Sequence, residues 1–297
     1  MIGSGNELSN GKFISGKNQF NVKKVKMSKQ RILIKYGGNA MVNPELQHEI
    51  AKQIFKLQQA GFEVIMVHGG GPFINKALEK ASIKSQFVDG LRVTEVPAFI
   101  EIQKALIGEV NANFISTLNF NKVKAIGLSG KDAGMVKAKK YNHFNANGDL
   151  VNLGLVGEII EIEETLINTL CKSGFVPVVA CIADGPDGES YNINADTFAG
   201  KLAAAIHADQ FIVLTDVDGL FLKYPDPNSI IHELNEEEVQ KHMGSTIQGG
   251  MIPKIQSCVA ALKEGVGKSI ILNGTKPDQI TSYAIDEQRI GTTLTLK

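Results

Sequence analysis

The chain has 297 residues, 43% of them hydrophobic, enough to bury a substantial core as one large domain or two lobes. Lysine plus arginine and aspartate plus glutamate both total 31, so no bulk charge favours nucleic acid or an acidic membrane surface as partner. No apolar run approaches a membrane span, and Cys171, Cys181 and Cys258 lack metal-ligand spacing, which predicts reduced core thiols in a cytoplasmic protein.

Residues 1–26 are dominated by Gly, Asn, Ser and Lys without sustained periodicity, and are expected to form a flexible extension or to lie upstream of a start at Met27. From Arg31 onward short apolar strands alternate with helical patterns. Strands are predicted at residues 32–35, 63–67, 124–128, 176–182, 210–214 and 269–272. A helix is expected to begin at Pro44, with Asn43 as its N-cap and Leu46, Ile50, Ile54 and Leu57 along one face. Further helices are predicted over about 97–118, 195–208 and 251–264. This alternation implies an α/β fold with a mostly parallel sheet covered on both faces. Residues 135–162, with Asn147-Gly148 between short apolar runs, read as hairpins inserted into that plan.

In such a sheet, ligands bind beyond the carboxyl ends of the strands, and the unusual residues map there. His68-Gly69-Gly70-Gly71-Pro72 follows a buried strand, with Pro72 suited to the first position of a helix. Its amides would face outward at a positive helix end, an arrangement that binds an anion or oxyanion. Lys35 ends another apolar run just before Gly37-Gly38 and is well placed for a ligand phosphate, a solvated strand end being the alternative. Thr215-Asp216-Val217-Asp218-Gly219 ends a third strand and would line a nucleotide pocket or make an Asx turn. Lys254 falls in the first turn of a helix, where the macrodipole disfavours a cation unless an anion sits at that end. Asp196 also lies in a first turn, where a carboxylate is favoured whether or not it functions.

Glycine-rich turns, two separated lysines and an aspartate, without a nucleophile constellation, suit phosphoryl transfer, which needs positioning and charge neutralisation. The Walker pattern is absent, and no G-x-G-x-x-G opens a helix. A carboxylate acceptor is already ionised at neutral pH and needs no general base.

Lys35-Tyr36-Gly37-Gly38-Asn39-Ala40-Met41, His68-Gly69-Gly70-Gly71-Pro72, Asp89-Gly90-Leu91-Arg92-Val93-Thr94, Gly127-Leu128-Ser129-Gly130-Lys131-Asp132, Asn192-Ile193-Asn194-Ala195-Asp196 and Gly249-Gly250-Met251-Ile252-Pro253-Lys254 occur in this order. In that order the chain resembles the N-acetyl-L-glutamate kinases of the amino acid kinase family. The resemblance implies an open α/β/α sandwich around a mostly parallel sheet. Residues 27–185 would form an N-terminal lobe for the acyl amino acid, and residues 186–297 a C-terminal lobe for ATP. It also implies ATP-dependent phosphorylation of the side-chain carboxylate of N-acetyl-L-glutamate, the second step of arginine or ornithine biosynthesis.

By motif position, Lys35 and Lys254 would stabilise the transferring phosphoryl group and Asp196 would hold both lysines. Gly37, Gly38, Gly70 and Gly71 would supply backbone donors, with Gly70 and Gly71 also lining the acyl-substrate site. Arg92 would clamp the α-carboxylate, a task suited to its planar fork, and Asn192 would contact the bound amino acid. Thr215, Asp216, Gly219 and Leu220 fall where the family binds the nucleotide, and Mg2+ would ride on the phosphates.

Arginine-inhibited relatives have a helical N-terminal arm and an aspartate–glycine–arginine run. Here the corresponding residues include Gly3, Gly5, Gly11 and Gly16, and the later run reads Asn273-Gly274-Thr275. The expected assembly is therefore a homodimer with weak or no arginine inhibition. A related kinase acting on N-succinylglutamate, glutamate, carbamate or a nucleotide, or a ligand sensor that kept the fold, are the alternatives.

Overall fold

Alternate residues of the first strand enter different cores, and this sets the layering of the molecule. In the computed structural model, which describes residues 29–145 and 147–296, Leu33 packs with Ile65, Val179, Phe211 and Val213 on one face of the main sheet. Ile32, Ile34 and Tyr36 pack with Val64, Met66, Val178 and Ile212 on the other. Side chains that alternate across a pleat give two hydrophobic layers only when both faces are covered. The N-terminal extension expected over residues 1–26 lies outside the described residues.

The main sheet comprises β1 (Arg31–Tyr36), β2 (Glu63–His68), β3 (Ala125–Ser129), β4 (Val176–Ala180), β5 (Gln210–Thr215), β6 (Glu233–Leu234), β7 (Lys268–Asn273) and β8 (Thr292–Leu294). Their spatial order is β6-β8-β7-β5-β1-β2-β4-β3. All neighbours are parallel except β7 and β8, so the predicted parallel sheet carries one antiparallel step near an edge.

Helices α1 (Pro44–Gln59), α2 (Gly71–Lys80), α3 (Val96–Gln103), α4 (Ala112–Phe120), α5 (Thr165–Lys172), α6 (Ala195–Ala205), α7 (Met251–Lys263) and α8 (Gln279–Ala284) accompany the sheet. Asn43 caps α1 as expected, its side-chain oxygen accepting from the amides of Glu45 and Leu46. None of the helices among the described residues is long and apolar enough to cross a membrane.

Boundaries differ from the sequence reading in several places, and the helix predicted over 195–208 ends at Ala205. The strand predicted over 176–182 stops at Ala180, and residues Ile182–Asp184 join a smaller sheet with Ser190–Asn192, Val136–Lys140 and Gly157–Ile162. Continuous apolarity does not reveal this break, because both pieces are buried. The helix predicted over 97–118 runs from Val96 to Phe120 through a wider π-type segment, Lys104–Asn111. Pro72 is the second residue of α2, which opens at Gly71. The inserted hairpins expected over 135–162 are present, with His143–Phe144 pairing Leu150–Val151 across the Asn147-Gly148 turn.

Candidate active site

Lys35, the fifth residue of β1, is only 6% exposed. A cation so deeply buried needs a counter-charge, and Asp196 supplies it: Lys35 Nζ lies 3.0 Å from Asp196 Oδ1. Lys254 Nζ approaches the same carboxylate from α7, 3.1 Å from Oδ2 and 3.4 Å from Oδ1. One aspartate therefore bridges two ammonium groups, leaving an excess positive charge beside a cleft.

Local sequence explains how these groups meet. Asn194 caps α6, accepting from the amides of Asp196 and Thr197 at 2.9 and 3.1 Å, and so fixes Asp196 in the first turn. A Cβ at Gly200 would stand 2.9 Å from the Ser257 carbonyl, so only glycine lets α6 approach α7 this closely. A Cβ at Gly37 would come 2.7 Å from Lys35 Nζ, so this glycine leaves room for the lysine tip. The anion expected at the start of α7 is Asp196, which answers the unfavourable dipole felt by Lys254.

Each group's protonation follows from this packing. Burial works against the Lys35 ammonium, but the Asp196 charge and hydrogen bond outweigh it and hold its pKa above the ordinary lysine value. Burial would push the Asp196 carboxyl up, yet Lys35 and Lys254 together hold it below the usual carboxylate range. Lys254 ends lower than an ordinary lysine, through burial and then repulsion from Lys35, with Asp196 only partly compensating.

A cleft of about 270 Å³ opens beside this triad. Its walls carry Lys35, Gly37, Gly38, Gly70, Gly71, Arg92, Asn192 and Asp196, together with apolar Phe87, Leu106 and Val156. Gly70 is tight: a Cβ there would stand 2.6 Å from Leu106 Cδ2. Arg92 ends a short hairpin, Phe87–Val88 with Leu91–Arg92. Its guanidinium lies 4.5 Å from the Phe87 ring centre and donates to Ser85 Oγ and, at 2.7 Å, to Asn75 Oδ1. Asn192 donates to Thr94 Oγ1 at 3.3 Å.

Thr215, Asp216, Gly219 and Leu220 do not line this cleft. Thr215 ends β5 and the other three follow it, and Thr215 accepts from the Gly274 amide at 2.7 Å. Asp216 Oδ1 accepts from the Asn39 amide at 2.8 Å and so joins this group to the Gly37-Gly38 turn. Gly38 has φ +75°, and a Cβ on it would strike the Asp216 carboxylate, so glycine is required on both counts. Leu220 donates its amide to Thr292 Oγ1 at 2.8 Å. Asp218 is held by Asn273 at 2.9 Å and Lys276 at 2.8 Å; burial opposes its charge, but these partners lower its pKa overall. Among the described residues no group of three or more carboxylate, imidazole or thiolate side chains could hold a metal.

Sequence reasoning passed over a buried pair behind the glycine turn. His68 is fully buried, and burial lowers its imidazole to about 4 despite a hydrogen bond to the Gly69 carbonyl. Asn111, the last residue of the π-type segment, donates to it at 2.9 Å. An asparagine inside an apolar helical stretch was the available signal.

The family model described as "Amino acid kinase family" matches residues 30–273. The chain is 43% identical over 274 residues to an acetylglutamate kinase of Caldicellulosiruptor bescii, covering 91% of this chain and 92% of that protein. An acetylglutamate kinase of Symbiobacterium thermophilum is 39% identical over 267 residues, covering 89% and 91%. Among solved structures, carbamate kinase from Giardia lamblia bound to AMP-PNP matches with a TM-score of 0.69 at 17% identity, covering 91% of this chain and 99% of that one. At that identity the likeness speaks for the fold alone.

Proposed function

Because this chain belongs to the amino acid kinase family, we propose a reaction in which its paired lysines receive the phosphoryl group passing from ATP to an acyl amino acid. The chain is an acetylglutamate kinase: it transfers the γ-phosphoryl group of ATP to the side-chain carboxylate of N-acetyl-L-glutamate, the second step of arginine or ornithine biosynthesis. A carboxylate oxygen forms the new bond to phosphorus, the bond from phosphorus to the β,γ-bridging oxygen breaks, and the electron pair leaves with ADP. No proton has to move, in keeping with a His68 imidazole that is buried and neutral behind the glycine turn.

The observation that carries the residue assignment is Asp196 bridging Lys35 and Lys254 at 3.0 and 3.1 Å. Two anions must approach to bonding distance, and fixed cations in a water-poor site offset their repulsion. In this reading Lys35 and Lys254 stabilise the phosphoryl group in transit, and Asp196 holds them apart from solvent and toward each other. The amides of Gly37 and Gly38 serve the phosphates, and those of Gly70 and Gly71 serve the acyl substrate. Arg92 clamps the α-carboxylate with guanidinium donors beyond those given to Ser85 and Asn75, while Asn192 contacts the amino acid. Thr215, Asp216, Gly219 and Leu220 flank the nucleotide.

Mg2+ would neutralise phosphate charge, carried by the phosphates themselves, since the Asp196 carboxylate is already committed to two lysines. Residues 27–185 form the acyl lobe and residues 186–297 the nucleotide lobe of a cytoplasmic homodimer. Val96 and Ile100 on α3, 60% and 47% exposed, offer apolar surface for that contact in the N-terminal lobe.

ADP release coupled to an optical readout, run with acetylglutamate, succinylglutamate and free glutamate, tests the reading. Release dependent on acetylglutamate and weak with the other two is expected. Preference for free glutamate, or no acceptor-dependent release, would overturn it.

A further inference from the structure

The glycine turn that faces the substrate is itself held from behind. His68 closes β2 in register with Tyr36 and Ala180, and its ring lies wholly inside the protein. Nδ1 sits 2.8 Å from the Gly69 carbonyl, which can only accept, so Nδ1 carries the proton. Nε2 is then the acceptor, and it receives the Asn111 side-chain amide at 2.9 Å. The second hydrogen of that amide goes to the Val178 carbonyl at 2.9 Å. Val178 thereby fixes which way Asn111 points, because a flipped amide would set oxygen against oxygen. The His68 carbonyl accepts from Cys181 Sγ at 2.9 Å, and the Gly69 amide donates to the Tyr36 carbonyl at 3.0 Å.

Room for this network is built in. A Cβ on Gly127 of β3 would stand 2.1 Å from Asn111 Oδ1, so glycine there admits the asparagine. The π-type segment that ends in Asn111 also supplies Leu106, the side chain pressed under Gly70. π-type turns recur where a helix must deliver side chains to a functional site.

In a trans peptide the carbonyl of one residue and the amide of the next point in opposite directions. Anchoring the Gly69 carbonyl on the His68 side therefore aims the Gly70 amide away from that ring. Among the described residues the Gly70 amide has no acceptor within the protein. We propose that His68 and Asn111 are positioning residues, which fix the Gly69–Gly70 peptide so that the Gly70 amide is presented to the acyl substrate in the cleft.

The proposal rests on the acyl-kinase reading and deepens it. Neither side chain touches substrate; both act through one peptide plane. Misaim of a donor by an ångström costs on the order of a hundredfold in rate, so the effect is measurable.

The test uses the geometry of the amide side chains. In His68→Asn the side-chain nitrogen stands near the place of Nδ1 and keeps the bond to Gly69 while losing Asn111. His68→Gln reaches the place of Nε2 and loses Gly69, and Asn111→Leu removes both donors while keeping the branched shape. With acetylglutamate varied, kcat of His68→Asn should fall by about tenfold or less. His68→Gln, which alone loses the bond to Gly69, should fall by about a hundredfold and Asn111→Leu, which leaves Nδ1–H on Gly69, by about tenfold, with KM for ATP changed less than about threefold. Thermal midpoints of all three are read alongside. A His68→Gln enzyme as active as His68→Asn would overturn the proposal.

Nitrogen-15 shifts of the His68 ring in the wild-type protein give a second readout that needs no turnover. An Nδ1–H tautomer at neutral pH is expected, and an Nε2–H tautomer would refute the bonding scheme. Wild-type protein that shows the Nδ1–H tautomer but no acetylglutamate-dependent ADP release would sink the reaction and leave the anchor standing.

Discussion

Replacing Asp196 with asparagine removes one charge and leaves two lysines facing each other. Side-chain exposures of 7%, 8% and 16% for Lys35, Asp196 and Lys254 mean that water screens little of the result. At 3.0 and 3.1 Å each ion pair is worth roughly 5 kcal/mol with an effective dielectric constant near 20, before desolvation and lysine–lysine repulsion are subtracted. Removing one member of a buried pair costs about 3–5 kcal/mol. The upper limit has a separate origin: a lysine with an ordinary pKa of 10.5 can escape by losing its proton, at about 5 kcal/mol at pH 7.

Asp196→Asn should therefore lower the thermal midpoint by roughly 10 °C, at about 2–4 °C per kcal/mol for a domain of this size. It should also cut kcat by about a hundredfold or more, because no carboxylate then holds the two ammonium groups together beside the phosphoryl group. A triphosphate supplies the missing negative charge, so MgATP should raise the midpoint of the variant by more than it raises that of the wild type. Differential scanning fluorimetry with and without MgATP, beside steady-state kinetics, reads all three effects. A variant that melts within about 2 °C of wild type, with kcat within tenfold, would refute the shared-carboxylate argument.

Lys254→Ala should lower kcat by about a hundredfold with little change in either KM, since its charge acts mainly on the phosphoryl group in transit, and steady-state kinetics decides it. Because burial and Lys35 hold the Lys254 pKa below 10.5, kcat/KM for ATP should fall as pH rises through a value under 10.5, and that alkaline limb should vanish in Lys254→Ala. Arg92→Lys keeps the charge and loses the planar fork, so KM for acetylglutamate should rise while KM for ATP holds; equal damage to both would point to a structural role for the Phe87 and Asn75 contacts. His68 is neutral when folded down to about 4 but titrates near 6.5 when unfolded, so its contribution is complete above pH 6.5 and is lost as pH falls toward 4. That loss amounts to about 3 kcal/mol and should appear in urea titrations at pH 7 and 4.5 as a steeper decline for wild type than for His68→Asn.

Strand and helix positions were legible in the sequence wherever a short β-branched run met a glycine or a cap, as at Val64–Val67 or Asn43-Pro44. The cleft was legible too, because Lys35, the glycine turns, Arg92 and Asn192 all lie in short motifs beside strand ends or hairpin turns. What local pattern could not carry was proximity between distant segments. Nothing near Asp216 announces its bond to the Asn39 amide, and nothing near Asn111 announces His68. The break at Cys181 was hidden for a related reason, since a strand leaving one sheet for another stays buried throughout. The small strands at residues 230–234 and 292–294 owe their existence to edge pairing more than to their own pattern.

The central place of β1 in the sheet also governs how this protein emerges from a ribosome. One edge of β1 is closed by β2, whose residues follow within a few dozen positions. Its other edge pairs Ile32 with Gln210, and the neighbouring contact between Arg31 and Asp209 spans 178 residues. At roughly 5–20 residues per second that edge waits about ten to forty seconds for its partner. Through that interval a nascent chain holding β1, β2, β3 and β4 presents an unpaired, apolar strand, the template on which chains add to one another. Truncations ending before Gln210 would keep that edge open permanently, so they should demand chaperones and aggregate when released.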